Sequence, residues 1–275
     1  MIDDKNIPLP IMDILRKAYI AVLNNVKSWL IFSYILAVPI YLISRYLPEP
    51  AIEPMNFDYQ SLVFYVAISV IILVVINIFF YRIFMLEKGE LFKINTSELL
   101  SVFFKMAAYI LALLCVLFLA ILTLVLLFGL FVTIIQAVFG ETALSEAIST
   151  TVVNLSMLIV MLLITMRVQP TFISLALNKA VLPMKSAYYY TRDNNKELIL
   201  IGLFSFIPAM LPSTAALMII ENFTASEATI NLVAYLLFPL LLLPNIMIMS
   251  SGAQIYKYLV PTGPDDKNHR MDITA

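Results

Sequence analysis

Long stretches without charge alternate with shorter polar stretches along this chain, and the alternation predicts six membrane-spanning helices. A transmembrane helix needs about 20 mostly apolar residues, with about 17 as the lower limit. Runs of this kind occur at about 28–44, 61–81, 106–128, 150–172, 198–219 and 230–250. The third run is the least regular, because no charge interrupts 106–140. We expect a long or tilted helix there, with Gly129 as a candidate break and an interfacial segment, IQAVFGETALSEA, beyond it.

The basic residues lie almost entirely in alternate loops between these runs. Sixteen of the 17 lysines and arginines fall before the first span, between the second and third, between the fourth and fifth, or after the sixth. Arg45 alone falls on the other side. Because loops rich in Lys and Arg stay in the cytoplasm, both termini are predicted to be cytoplasmic in a multi-pass protein of the bacterial inner (plasma) membrane.

This topology predicts an all-α chain in three parts. Residues 1–27 form a cytoplasmic amphipathic segment, 28–259 a six-helix membrane domain, and 260–275 a cytoplasmic polar tail. The acidic, proline-bearing start lacks the cationic region of a signal peptide, so the first span is predicted to be a retained anchor.

One half-polar, half-apolar pattern occurs twice, as AYIAVLNNVKSWL at 18–30 and as AYYYTRDNNKELI at 187–199. Each copy has an Ala-Tyr pair, then a polar pair six residues later, then a lysine followed twelve residues on by a proline. The polar pair is a turn or helix-start signal. A looser version follows Asn95 or Thr96, before the third span. We expect three helical hairpins made of spans 1–2, 3–4 and 5–6, derived by duplication; convergence of loop-to-helix entries on one composition is the alternative.

Apolar residues with helical spacing precede spans 1 and 5. In the first copy these residues are Ile11, Ile14, Leu15, Ala18, Tyr19, Val22 and Leu23. In the second they are Val181, Met184, Tyr188 and Tyr189. We expect two amphipathic cytoplasmic helices that lie in the plane of the headgroups, with cations toward water and anionic lipid.

The cations on the predicted cytoplasmic side are candidate contacts for anionic headgroups or a protein partner. They are Arg16, Lys17, Lys27, Arg82, Arg167, Lys185, Arg192 and Lys196. Arg82 and Arg167 lie just past the cytoplasmic ends of spans, where anchoring at the interface is their simplest role. Membrane lipids are thus the predicted partners; protein partners are not predicted.

Polar residues inside the spans suggest a second kind of site. The candidates for lining a cavity are Asn77, Asn154, Ser205 and Asn245. Prolines within or beside spans 1, 5 and 6 bend these helices, through gating or, more simply, through packing; they are Pro39, Pro208, Pro212, Pro239 and Pro244. No ionisable side chain lies near a span centre, which argues against proton-coupled pumps.

Composition agrees with a membrane protein and excludes several kinds of chemistry. Hydrophobic residues make up 62% of the 275 and charged residues 13%, with a mean hydropathy of +0.96. A net charge of −1 gives no sign of nucleic-acid binding. One cysteine, Cys115, and one histidine, His269, cannot build a zinc site or a histidine-based triad. No phosphate-binding loop is present. We therefore expect no enzyme activity, no cofactor and no metal.

The segment VQPTFISLALNKAVLPMKSAYYYTRDNNKELILIGLFSFIP resembles the YciC-like family of bacterial inner-membrane proteins. It is similarly close to the membrane domain attached to some glycerophosphoryl diester phosphodiesterases. The shared pattern is a span, a turn with Ala and Pro, a short Asn-Lys loop, a helix with Lys185, Ser186 and Ala187, a polar turn and another span. The resemblance implies an envelope role and carries no catalytic residues.

Three functions remain open at this level. The first is a non-enzymatic, envelope- or lipid-associated inner-membrane protein. The second is a small permease or lipid transporter with the bent spans 5 and 6 lining a path. The third is a secreted effector that inserts into a host membrane.

Overall fold

The computed structural model describes residues 9–46, 59–86, 90, 94–139, 143–178, 182–222 and 226–260. Within these ranges all regular structure is helical, in eight helices. They are α1 (Ile11–Asn24), α2 (Val26–Tyr46), α3 (Tyr59–Met85), α4 (Thr96–Phe139), α5 (Ala143–Ala176), α6 (Met184–Thr191), α7 (Asn195–Asn222) and α8 (Glu227–Leu259). The predicted all-α class is confirmed. Apart from Val260, the predicted tail lies outside the described residues.

Five helices, α3, α4, α5, α7 and α8, are each long and apolar enough to cross a membrane. The pair α1 and α2 passes the same test together but is bent by 69° at its break. The described ranges therefore contain five candidate spans, or six if the bent pair is one span. The protein is thus a multi-pass membrane protein by helix length and hydropathy.

The α4 helix is continuous, so the predicted long helix is confirmed and the candidate break at Gly129 does not occur. Its 44 residues span about 66 Å, against about 40 Å for the 27 residues of α3. A break in this apolar run would leave backbone polar groups without partners in lipid, and a continuous helix avoids that cost. The predicted interfacial segment instead contributes to the end of α4 and the start of α5, with 140–142 outside the described residues.

The α5 helix also continues beyond its predicted end, through Pro170 to Ala176. It ends where Asn178 takes a left-handed conformation, with a φ of 51°. Asparagine is among the few residues other than glycine that adopt this conformation at low cost, and it commonly follows the last residue of a helix. Asn178 of the sequence pattern is therefore the helix stop.

Asn25 separates α1 from α2 at the predicted turn. Its side-chain amide donates to the carbonyl of Ala21 over 2.9 Å, and the indole N–H of Trp29 donates to the carbonyl of Val22 over 3.0 Å. The carbonyl of Ala21 also accepts from the backbone N–H of Asn25 over 3.2 Å, so the indole of Trp29 is the group that satisfies a carbonyl left without a helical partner at the break. The carbonyl of Asn25 accepts from the backbone N–H of Trp29, which starts α2.

The α1 helix lies lengthwise against α7 and α8, with one face buried by protein. Three contacts follow its length: Leu9 N–H to Asn194 Oδ1 (3.1 Å), Tyr19 Oη–H to the carbonyl of Phe204 (2.9 Å), and Ser250 Oγ–H to the carbonyl of Ala18 (2.9 Å). Ile14, Leu15, Ala18 and Val22 are buried there. The predicted apolar face of α1 is thus covered by α7 and α8, where the small side chains of α8 let α1 approach closely.

The two copies of the repeated pattern bury the same positions. Ala18, Val22, Trp29, Phe32, Ser33 and Leu36 are buried, as are their counterparts Ala187, Thr191, Leu198, Ile201, Gly202 and Ser205. Asn194 occupies the position of Asn25, and its carbonyl accepts from the N–H of Leu198 at the start of α7. Segments α1–α2 and α6–α7 are therefore equivalent helix–turn–helix units. The carbonyl of Asn95 starts α4 in the same way.

Helix pairing follows two of the three predicted hairpins. The α7–α8 pair and the α4–α5 pair are the most extensively packed, whereas α2 packs chiefly against α8 and only slightly against α3. The end of α3 supplies the largest fully buried side chains, Phe80 and Tyr81. Phe32 of α2 packs edge-on to Phe80, with ring centroids 5.3 Å apart. The predicted pairing of spans 1 and 2 is therefore only slight, because α2 packs mainly against α8.

Two glycines offer a test of the packing between α5 and α8. A Cβ built on Gly252 would lie 1.1 Å from Oε1 and 3.1 Å from Cβ of the buried Gln169, whereas one on Gly129 would meet nothing within 4 Å. We expect Gly252→Ala to destabilise the protein by about 1–3 kcal/mol through overpacking. Gly129→Ala should be neutral or stabilising, because Ala is the better helix former.

Thermal unfolding in a neutral detergent would measure both variants. Gln169→Ala in the Gly252→Ala background should restore part of the loss, because it removes the clashing carboxamide. Equal melting temperatures for the two glycine variants would contradict this packing.

Candidate functional site

One end of the bundle gathers helix termini from distant parts of the chain. Four hydrogen bonds join them: Arg82 to the carbonyl of Ala176 (3.1 Å), Lys257 to the carbonyl of Phe84 (3.3 Å), Leu9 to Asn194 (3.1 Å), and Arg167 to Asn195 Oδ1. The ends of α3, α5 and α8 thus meet the starts of α1 and α7, with α6 beside them. We call this the basic end.

Arg82 ties the basic end together from within. Its side chain is only 4% exposed, and its two terminal nitrogens donate to the carbonyls of Ala176 and Glu90, over 3.1 and 3.0 Å. It thus holds the end of α5 and the turn between α3 and α4 against α3. From the sequence alone, Arg82 is a candidate headgroup contact. Its hydrogen bonds to two backbone carbonyls indicate instead that it positions helix ends.

Six of the eight predicted contact cations are exposed on the surface. They are Arg16, Lys17, Lys27, Lys185, Arg192 and Lys196. Two form local ion pairs, Lys17 with Asp13 at 2.6 Å and Arg192 with Asp193 at 3.2 Å. Exposed pairs of this kind contribute little to stability, so these side chains stay available to other anions.

Three consecutive tyrosines on α6 stand among these cations. Tyr188, Tyr189 and Tyr190 are 50%, 55% and 40% exposed. The guanidinium of Arg167 lies 4.6 Å from the ring centroid of Tyr188, and that of Arg192 lies 5.6 Å from the centroid of Tyr189. Tyrosine is enriched where membranes meet water. Helical spacing in the sequence predicts an apolar face that includes Tyr188 and Tyr189, whereas the run of three tyrosines is the signal for a surface of cations and aromatic rings.

Arg167 differs from the exposed cations because its guanidinium is held in place. One terminal nitrogen donates to Oδ1 of Asn195, and the plane rests on Tyr188. Its Nε is buried and has no hydrogen-bond partner. In the described part of the chain, no carboxylate lies within ion-pair distance of it.

The four predicted cavity residues are not brought together. Ser205 is buried and its Oγ lies 2.6 Å from that of Ser251 on α8, while Asn77 donates to the carbonyl of Leu73 one turn earlier in its own helix. Asn154 and Asn245 lie on the exposed surface of α5 and α8. All five prolines that were assigned to spans lie inside helices α2, α7 and α8.

Sequence reasoning missed several buried polar residues on α5 and α8. Gln169 and Thr171 on α5, and Ser250 and Ser251 on α8, are almost fully buried. Oε1 of Gln169 and Oγ1 of Thr171 have no hydrogen-bond partner. The clustered small and polar letters QPT and SSGAQ were the available signal, hidden because both lie at the ends of apolar runs.

The described residues hold no group of three or more His, Cys, Asp or Glu side chains arranged to bind a metal. Comparisons with family models, curated proteins and solved structures found no match to this chain. The resemblance to the YciC-like family therefore stays a prediction, and the geometry of the basic end carries the functional argument.

Arg82 provides a test of how the basic end is held. We expect Arg82→Gln to lower the free energy of unfolding by about 2 kcal/mol or more, because it leaves two backbone carbonyls without charge-assisted bonds. Arg82→Lys should be intermediate, since one ammonium replaces a forked donor. Arg16→Gln, on the exposed face of α1, is the control and should stay within about 0.5 kcal/mol.

Chemical unfolding in neutral detergent gives the free energies. If the Arg82→Gln and Arg16→Gln variants unfold at the same denaturant concentration, Arg82 does not hold the helix ends.

Proposed function

We propose that this chain is a non-enzymatic protein of the bacterial inner membrane that crosses the bilayer six times and contacts anionic lipid headgroups at its basic end. The observation that carries the proposal is the set of exposed cations around α6, Lys185, Arg192 and Lys196, beside the exposed tyrosines of that helix at the basic end. This surface has the composition of a membrane–water interface on the cytoplasmic side.

Six crossings follow if α1 and α2 act as one broken span. The first described residue, Leu9, is bonded to Asn194, and Lys257 near the end of α8 is bonded to Phe84. Both ends of the described chain thus lie at the basic end, as an even number of crossings requires. The alternation of basic loops supports the same count and a cytoplasmic location for both termini.

Electrostatics favours lipid as the partner. Each Lys or Arg near the surface of an anionic leaflet contributes about 1 kcal/mol of attraction. Lys185, Arg192 and Lys196 lie close together in sequence around α6, where Asp193 and Glu197 offset part of their charge. The neighbouring tyrosines add amphipathic rings at headgroup depth.

The proposal of a role without catalysis is based on the sequence. The chain has one histidine, His269, in the tail, and one cysteine, Cys115, on the exposed surface of α4. Neither belongs to a pattern that activates a nucleophile or holds a metal.

A small permease or lipid transporter is the second candidate, and the buried serines where α7 meets α8 favour it. It has less support, because Asn154 and Asn245 face outward from the bundle. Uptake of solute into proteoliposomes, lost on Ser205→Val and Ser251→Val, would favour the transporter over the headgroup-binding protein.

The headgroup proposal predicts that charge on and beside α6 sets a preference for anionic lipid. Lys185→Gln with Arg192→Gln removes two cations, worth about 2 kcal/mol in total, so the preference for phosphatidylglycerol over phosphatidylcholine should fall at least tenfold. Native mass spectrometry of the protein in nanodiscs that contain both lipids measures the preference.

The matched control keeps the charge, as Lys185→Arg with Arg192→Lys, and should retain the preference. Raising the salt concentration should weaken the wild-type preference through screening. An unchanged preference in the doubly neutralised protein would reject the proposal.

A further inference from the structure

Beneath α6, two side chains of α5 present hydrogen-bond donors that lack acceptors. Arg167 and Thr171 lie one turn apart on the same face of α5. That face lies under α6, because two contacts join it to α6 and the residues just before it. Arg167 contacts the ring of Tyr188, and two turns further along α5 Ser174 Oγ accepts from the N–H of Leu182. Thr171 lies between these two contacts.

Both residues have polar atoms that are buried and unpartnered. Thr171 is 0% exposed, and its hydroxyl oxygen has no hydrogen-bond partner. Nε of Arg167 is also buried without an acceptor. Such groups are costly to leave unsatisfied, and a charged donor costs more than a neutral one. An acceptor with negative charge would satisfy both groups.

The start of α7 adds a positive field at the same place. Arg167 is bonded to the side chain of Asn195, the first residue of α7. The amide groups of a first helical turn attract anions. Asn194, which precedes them, uses its side-chain oxygen to accept from Leu9. Lys196 adds one exposed cation and Glu197 one carboxylate in the first turn.

We propose that Arg167, Thr171 and the start of α7 form a discrete site for one phosphodiester group, that of an anionic phospholipid. Arg167 supplies the forked charge that suits phosphate, the hydroxyl of Thr171 supplies a second donor, and Tyr188 holds the guanidinium in place. The lipid identity rests on the proposed function, whereas the phosphate chemistry rests on the donors.

Titration of the purified full chain in neutral detergent tests the site. The probes are dioctanoyl phosphatidylglycerol, dioctanoyl phosphatidylcholine and inorganic phosphate, and native mass spectrometry counts the bound molecules. We expect one saturable phosphatidylglycerol, with affinity at least tenfold lower in Arg167→Gln and about threefold lower in Thr171→Val. Lys105→Gln, an exposed cation of α4, is the control and should stay within about twofold.

Arg167→Lys covers the case in which Arg167→Gln does not fold, and its affinity should be intermediate, because it keeps the charge and loses the fork. Equal affinity of the Arg167 variants and wild type would overturn the site. Inorganic phosphate that binds as tightly as phosphatidylglycerol would overturn the lipid identity.

The two proposals fail in different ways. Loss of the collective lipid preference in the Lys185 and Arg192 variant, with no effect of Arg167→Gln on the single bound lipid, would reject only the discrete site. A saturable lipid lost in Arg167→Gln, with no effect of Lys185 and Arg192 on the mixed-lipid preference, would reject only the collective surface.

Discussion

The need to satisfy backbone polar groups away from water governs this structure. In lipid an unpaired N–H or C=O costs several kcal/mol, so long unbroken helices are the default. Where this chain departs from that default, a side chain takes the place of the missing helical bond. Trp29 does so at the break between α1 and α2, and Arg82 does so at the end of α5.

The same constraint explains why polar side chains join helices here. Tyr19 donates to the carbonyl of Phe204, Tyr34 donates to the carbonyl of Leu236, and Ser250 donates to that of Ala18. Each bond fixes α1 or α2 against a distant helix without a charge. The first two helices are thereby anchored to the last two, although the sequence places them at opposite ends of the chain.

Sequence identified the elements more fully than their packing. Hydropathy located the long helices, since apolar length is a local property, and the Asn pair located the break at Asn25. It could not show that α1 packs on α8, because that contact depends on small residues more than 200 positions away. The sequence also predicted that Arg82 and Arg167 lie at one end of the bundle. Whether each faced lipid or protein was decided by tertiary neighbours such as Glu90 and Asn195.

The length of α4 sets a demand on the surrounding membrane. The uncharged stretch from Met106 to Phe139 rises about 51 Å, whereas the hydrocarbon layer is about 30 Å thick. Even at a tilt of about 40°, near the upper limit for such helices, about 39 Å of it would remain along the bilayer normal. Lipids beside α4 must therefore stretch, and regions of thicker bilayer become the most favourable surroundings for this protein.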